Sequence, residues 1–426
     1  MNVIAPSAKS LRVAPPAMKL NKPCPPRMVV TMMACISANI ISPVLAQEVS
    51  TAINDRVEPG DGIVPALPPA GEPEKSSGLD IGAIISAAYD DNIFLSRTDA
   101  ESDMVYRVAP AIAYTQGDPD EGEGGFIQFA YRPTGVVYSD NGGEDRIDHQ
   151  AVIMAGWRGK VTKITYTGAG EKLGDATADT GRPTDRFAFE NELRGAWIPR
   201  EKITLEAAVG NRQTDYLDPQ YFDSKKTYGE VAVRYAYSPK TEIGLAYQAG
   251  RFKVDDADKQ TTQQVTANIA WQPREKIRVV VEAGGEQRKT ENGTDINPVA
   301  EGRIEWQPRK GTSLFITGYQ REEASAFYAG QNYSVKGMTA GVSQRLGGNW
   351  TARVEGGRES ASYTQVAGTG TTGRKDKMWF VKPSLQYKIS DKCDVSVFYR
   401  VSDNSSTDRS FGYDQETAGI ELNYKF

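Results

Sequence analysis

Apolar and polar residues alternate over much of this chain, most cleanly over its last fifteen residues, Gly412–Phe426. Ala418, Ile420, Leu422, Tyr424 and Phe426 share one parity, and Gly419, Glu421, Asn423 and Lys425 the other. Successive side chains of a strand point to opposite faces, so the segment reads as a strand with one apolar and one polar face. The closing strand of an outer-membrane barrel needs both, one toward lipid and one toward an aqueous lumen. An ordinary edge strand of a soluble sheet is the alternative.

The same alternation recurs from Leu79 onward around one repeated turn. Trp197-Ile-Pro-Arg-Glu-Lys, Tyr237-Ser-Pro-Lys-Thr-Glu, Trp271-Gln-Pro-Arg-Glu-Lys and Trp306-Gln-Pro-Arg-Lys-Gly stand about one hairpin apart. Leu346-Gly-Gly-Asn-Trp350, Ile389-Ser-Asp-Lys-Cys393 and Trp157-Arg-Gly-Lys160 occupy equivalent places. Proline fixes a turn dihedral and donates nothing to a ladder, so it is expected between strands. The aromatic before it suits a membrane interface. A β-propeller also has a period near 40. Its blades need four turns per period, whereas each period here holds one short turn and one longer polar loop.

The pattern predicts an all-β protein: a transmembrane antiparallel up-and-down β-barrel of about 18 strands, with 16 as the alternative. The segments are 79–89, 103–114, 125–138, 146–157, 160–170, 186–198, 201–212, 225–238, 241–253, 259–272, 275–288, 296–307, 311–322, 332–346, 349–361, 375–388, 392–402 and 412–426. An even number returns the C-terminus to the side of the N-terminus. Short turns then face the periplasm, and Glu171–Asp185, Gln213–Ser224 and Val366–Arg374 become outer loops. Gly117–Gly124 is the misfit, longer than the other turns on its side.

Parity assigns the faces. Ile203, Leu205, Val209, Val231, Val233, Tyr235, Ile304, Trp306, Val395, Val397 and Tyr399 are expected to meet lipid. The lumen receives Glu206, Arg234, Arg278, Glu282, Glu286, Arg303, Glu305, Arg353, Glu355 and Arg400, a lining of mixed sign. Such residues can lock strand register through Arg–carboxylate pairs. Arg234, Arg278, Arg303, Arg353 and Arg400 are alternatively a track for an acidic polymer. Phe252, Phe380 and Phe398 are the candidate inward aromatics.

The N-terminus fits the same compartment. Lys19, Lys22 and Arg27 precede an apolar run, Met28–Leu45, that ends in Val44-Leu45-Ala46. This predicts a signal peptide over residues 1–46, with Met18 an alternative start and a membrane anchor the competing reading. A lipobox at Cys35 is poor. Residues 47–78, rich in proline and poor in large apolar side chains, read as a disordered periplasmic linker. The barrel occupies 79–426. Mean hydropathy is −0.50, which does not exclude the membrane because lumen-facing positions are polar.

Five of the 50 basic residues and none of the 55 acidic ones fall in residues 1–46, leaving 45 against 55 and a net charge of −10. That disfavours nucleic acid as a partner. Only Cys393 lies beyond the leader, so neither an intramolecular disulfide nor a cysteine metal site is expected. The one histidine, His149, has no recognisable nucleophile motif beside it. Asp90-Asp91-Asn92 and Asp255-Asp256 lack EF-hand spacing. No catalytic residue, metal or cofactor is expected, and a 32-residue linker is too short for a transporter plug.

Ala88-Tyr-Asp-Asp-Asn-Ile-Phe94, on the first hairpin, resembles the β-barrel porin 2 family over Leu79–Phe426. Tyr89, Asp90, Asp91, Asn92 and Phe94 match its motif. Members are often associated with exopolysaccharide biosynthesis and export, so the resemblance implies an outer-membrane channel for a secreted polysaccharide, working with periplasmic export proteins. Leu422, Tyr424 and Phe426 look like the terminal signal read by the bacterial barrel-assembly machinery. A general diffusion porin and a non-conducting structural or adhesive barrel remain the other readings.

Overall fold

The computed structural model describes residues 77–426 except 120, 121, 178, 181, 256, 292, 329, 330 and 364–372. The expected signal peptide and nearly all of the expected linker lie outside the described residues, as does most of the expected loop Val366–Arg374.

Eighteen strands follow one another. They begin with β1 (Ser77–Asp90), β2 (Asp103–Gln116), β3 (Gly124–Tyr138), β4 (Arg146–Arg158), β5 (Thr162–Leu173) and β6 (Arg186–Arg200). Then come β7 (Ile203–Tyr216), β8 (Ser224–Ser238), β9 (Thr241–Val254), β10 (Gln260–Arg274), β11 (Ile277–Thr290) and β12 (Gly293–Arg309). The last are β13 (Thr312–Ala324), β14 (Asn332–Gly347), β15 (Trp350–Tyr363), β16 (Lys375–Ser390), β17 (Cys393–Ser406) and β18 (Tyr413–Lys425). Every strand pairs antiparallel with its neighbours in sequence, and β1 closes on β18 from Gly82↔Lys425 to Asp90↔Thr417. Closure leaves no ladder edge, the condition for sheet in a bilayer, where water cannot satisfy the backbone.

Strands run from 12 to 17 residues. At roughly 3.3 Å per residue and a tilt near 40°, the shortest spans about 30 Å, enough for an apolar band of about 25 Å. Eighteen strands roughly 4.8 Å apart close at a backbone diameter of about 35 Å. The expected alternation is the observed one. Val231, Val233, Tyr235, Ile243, Leu245 and Tyr247 stand exposed on the outside, while Glu206, Ala232, Glu242 and Ala246 on the inner face are buried. Trp157, Trp197, Tyr237, Trp271, Trp306, Trp350, Tyr424 and Phe426 form an exposed aromatic girdle at the short-turn end. An apolar belt and aromatic girdle outside a charged lumen make this an outer-membrane barrel.

Two details differ from the sequence reading, and one turn it singled out gains a cause. Pro199, Pro273 and Pro308 do not lie between strands. They sit inside the ends of β6, β10 and β12, where the register shifts between Trp197/Arg200, Trp271/Arg274 and Trp306/Arg309. A bulge leaves one residue unpaired, which is where a proline does no harm to a ladder. The turns themselves are Glu201–Lys202, Glu275–Lys276 and Lys310–Gly311, and of the four repeated prolines only Pro239 occupies a turn. β1 also starts at Ser77, because Ser77 and Gly78 already pair with Gln116 and Thr115. Finally, the long turn after β2 folds back on the wall at Gly117, whose φ is +72°. A Cβ there would lie 2.4 Å from the Gly125 carbonyl oxygen, so only glycine fits.

Candidate functional site

All ten sequence-assigned lumen residues lie on inward parities. The structure gathers some of them into one charged wall. Arg194 on β6 is its hub, with Glu192 at 2.8 Å, Glu206 of β7 at 3.0 Å and Glu230 of β8 at 2.9 Å. Glu206 also receives Arg234 at 3.0 Å, and Arg234 reaches Glu242 at 3.9 Å. Tyr228 donates to Glu192 at 3.0 Å, and Arg212 pairs with Glu190 at 2.9 Å. Farther round, Glu286 pairs with Arg288 at 2.7 Å and with Lys226 at 3.9 Å. Alternating charge satisfies groups whose burial alone would be costly, and it pins the register of adjacent strands.

The other assigned residues are dispersed. Arg303 pairs with Glu305 at 2.7 Å, Arg278 lies in register with Glu305, and Glu282 lies in register with Glu301. Arg353 and Glu355 face inward from β15, away from the charged wall. Arg400 bonds Gln415 at 3.2 Å and lies over the Phe380 ring at 5.4 Å. The five arginines considered as a polymer track therefore sit on five separate strands, with Arg234 and Arg303 already bound to carboxylates. Glu190, Glu192, Arg194, Arg212, Tyr228 and Arg288 join this wall beyond the residues that the sequence singles out, and their inward parity is legible in the same alternation.

Phe252, Phe380 and Phe398 also point inward, and Phe380 and Phe398 lie flat on the wall. Phe252, Phe380 and Phe398 carry Arg288, Arg400 and Lys382 over their faces, at 5.3, 5.4 and 4.7 Å. The flat pose depends on glycines across the strand. A Cβ at Gly357 would lie 2.4 Å from Phe380, and one at Gly419 2.6 Å from Phe398. Phe315 covers Gly341 and Tyr319 covers Gly337 in the same way.

The outer mouth was not legible in the sequence. The loop between β5 and β6 leaves the wall at Gly174 and returns at Asp185. At its tip, Asp179 accepts hydrogen bonds from the Ala326 amide at 2.7 Å, Ser325 at 3.1 Å and the Tyr363 hydroxyl at 2.8 Å. Arg374 donates to the Asp179 carbonyl at 3.3 Å, to the Tyr363 hydroxyl at 2.8 Å and to Asp376 at 2.8 Å. Ser325 and Ala326 belong to the β13–β14 loop, and Tyr363 and Arg374 flank the β15–β16 loop, on the wall opposite β5 and β6. A loop folded back after six residues reaches roughly 20 Å at most, just over half the estimated bore. The contact is therefore a bridge in which loops from both walls meet over the lumen.

Aromatic rings fill the space beside the bridge. Arg374 stacks on Phe411 at 3.6 Å and on Tyr363 at 4.2 Å. Phe327 packs edge-on to Phe411 at 5.2 Å and lies 6.4 Å from Tyr221, whose hydroxyl accepts from Arg182 at 2.8 Å. The Phe222 amide bonds the Ala326 carbonyl at 2.9 Å, adding the β7–β8 loop. Burial pushes the Asp179 carboxyl above the usual carboxylate range, against the opposing pull of Arg374, the Ala326 amide, Tyr363 and Ser325.

The Tyr89–Phe94 motif lies at the seam between the first and last strands. Asn92 donates to the carbonyls of Ser96 at 2.7 Å and Asp414 at 2.8 Å, and accepts from the Ser96 amide at 2.8 Å. Asp90 accepts from the Asn92 amide at 2.9 Å and from Gln415, and Asp91 accepts from the Glu416 amide at 2.7 Å. Tyr89 is exposed on the outer face, and Phe94 packs on Ile93, Val105, Val136 and Tyr138. At the chain's end Phe426 donates its amide to the Ile81 carbonyl at 2.9 Å and meets Tyr424 edge-on at 4.9 Å; Leu422 pairs with Ile85. His149 is on the outward parity of β4, and its Nδ1 lies 2.9 Å from the Tyr131 hydroxyl. Among the described residues no three His, Cys, Asp or Glu side chains are grouped to hold a metal ion.

No protein-family model and no curated protein matches the chain. The resemblance to the β-barrel porin 2 family therefore rests on the Tyr89–Phe94 motif alone, without a family model behind it. Among solved structures the chain is similar to OccK1 (OpdK) of Pseudomonas aeruginosa, at 11% identity and a TM-score of 0.46, covering 82% of this chain and 98% of that one. It is similar to OpdQ of the same organism, at 10% identity and a TM-score of 0.45, over 82% and 97% of the two chains. OccAB3 of Acinetobacter baumannii follows at 9% identity and 0.45, over 82% and 99%. Overlap at that level is a likeness among large barrels.

Proposed function

We propose that this chain is an outer-membrane diffusion channel for small polar and charged solutes, narrowest at the bridged outer mouth. The observation that carries this reading is the contact of Asp179 with Ala326, Tyr363 and Arg374. A bridge over the lumen divides the exit into smaller openings, which suits small solutes better than a continuous polymer. The inner wall supports weak ion preference, because Arg194, Arg212, Arg234, Arg288 and Arg303 are each paired with a carboxylate. Leu422, Tyr424 and Phe426 serve the barrel-assembly machinery on this reading, and no catalytic residue, metal or cofactor takes part.

The test is reconstitution of the full chain. Planar-bilayer recordings should show discrete ion-conducting steps, and liposome swelling should fall steeply from monosaccharides to oligosaccharides. Absence of conductance would leave a structural barrel. Equal passage of long oligosaccharides would remove the bridge as the size filter.

Polysaccharide export is the second reading. It is favoured by Phe315, Tyr319, Phe380 and Phe398, whose rings lie flat on the inner wall as stacking surfaces for sugars. Deleting the gene should then deplete polymer outside the cell and accumulate it in the periplasm. Unchanged secretion ends that reading.

A further inference from the structure

We propose that the outer-leaflet half of β14–β16 is a seat for a phosphorylated glycolipid. Lys336 of β14, Arg358 of β15, and Lys375 and Lys377 of β16 share the outward face with Met338, Val354, Trp379 and Val381, all exposed. They lie near the long-loop end of their strands, away from the girdle at the short turns.

The register makes one patch of them. Lys336 pairs with Ser360, and Ser360 with Lys377. Two strand spacings separate the lysine backbones by roughly 9.6 Å, within reach of two long side chains converging on one phosphate or holding two. Arg358 lies between them, one rung nearer the midplane, flanked in register by Met338 and Trp379. Lys375 lies one rung farther out, opposite Ser362. The patch therefore offers cations and hydroxyls above an apolar floor.

None of the four cations makes an ion pair among the described residues, although Glu322 and Asp403 stand on the strands at either side. The charged wall of the lumen is the contrast, since Arg194, Arg212, Arg234 and Arg288 are each held by a carboxylate. Clustered like charge on a sheet is unfavourable without a counter-charge, and at this level of the bilayer the counter-charge available is the lipid headgroup. The floor of Met338 and Trp379 selects a lipid over a free anion, because acyl chains cover apolar surface that inorganic phosphate leaves wet. Arg251 and Lys289, which face each other across Thr261, repeat the arrangement on β9–β11.

The experiment is native mass spectrometry of the full chain in detergent, titrated with a diphosphorylated lipid A-type glycolipid, its phosphate-free form, or inorganic pyrophosphate. The chain should retain the diphosphorylated lipid at least tenfold better than the phosphate-free form. Lys336→Gln/Arg358→Gln and Lys375→Gln/Lys377→Gln, made separately so that one folded variant suffices, should each cut retention several-fold. A control with Lys202, Lys276, Lys310 and Lys392 of the short turns changed to Gln should retain it fully. Wild-type retention by both double variants, or full competition by pyrophosphate at equal concentration, overturns the proposal.

Discussion

Asp179 and Tyr363 share a hydrogen bond of 2.8 Å although the loop that carries Asp179 rises from β5 and Tyr363 ends β15, on opposite walls of the barrel. Two residues 184 positions apart in the chain thereby close a span over the lumen. The pair is held from both sides, by the Ala326 amide on Asp179 and by Arg374 on Tyr363.

Asp179→Ala should open the outer mouth. It removes the acceptor for Ala326, Ser325 and Tyr363, and leaving such a buried cluster unpaired costs about 1–3 kcal/mol per group. Single-channel conductance should rise and the swelling cutoff should shift to larger sugars. Unchanged conductance would place the narrowest point elsewhere.

Acid should favour the closed bridge. The Asp179 carboxyl is raised by burial in the bridge, so the bridged form binds its proton more tightly than the open form. The stabilisation is full below the ordinary carboxylate value of about 4 and is lost as pH rises through the raised one. Recordings should show a falling open fraction as pH is lowered from 7 toward 4, and Asp179→Asn should abolish the trend. A rising open fraction would reverse the assignment.

Arg194→Ala should weaken the wall and change its charge. Glu192 and Glu230 lose their closest cation, while Glu206 keeps Arg234. Breaking one partner of such a cluster costs about 3–5 kcal/mol when buried. The midpoint of urea unfolding should drop, and reversal potentials in a salt gradient should move toward cation preference. An unmoved midpoint would show that water in the lumen screens the network.

Gly357→Ala should displace a ring. The new Cβ would lie 2.4 Å from Phe380 and 3.0 Å from the Thr339 hydroxyl, and overpacking of this kind costs about 1–3 kcal/mol. Adding Phe380→Ala should recover more stability in the Gly357→Ala background than in the wild type. Additive losses would mean that the two positions do not share the strain.

Alternation by itself determined the strands and their faces, and it put their number at about 18 with 16 still open. Inward Glu206 and Arg234 and outward Val231 and Tyr235 follow from a period of two, which is local information along one strand. The same rule reached β6, where the inward parity of Glu192 and Arg194 was readable. It did not reach the position of the prolines at Trp197/Arg200 and its equivalents, because bulge and turn residues are one step apart in sequence and differ only in pairing.

Tertiary structure decided what those faces meet. Arg194 finds its carboxylates on β6, β7 and β8 only once register is set by ladder hydrogen bonds and pleat. The bridge is further from the sequence still: Arg374 meets Asp179 across 195 positions, from loops without periodicity. Closure of the sheet sets the distance between opposite rims, and loop length sets how far each can reach over it. Neither quantity belongs to any single segment, so the wall was legible and the mouth was not.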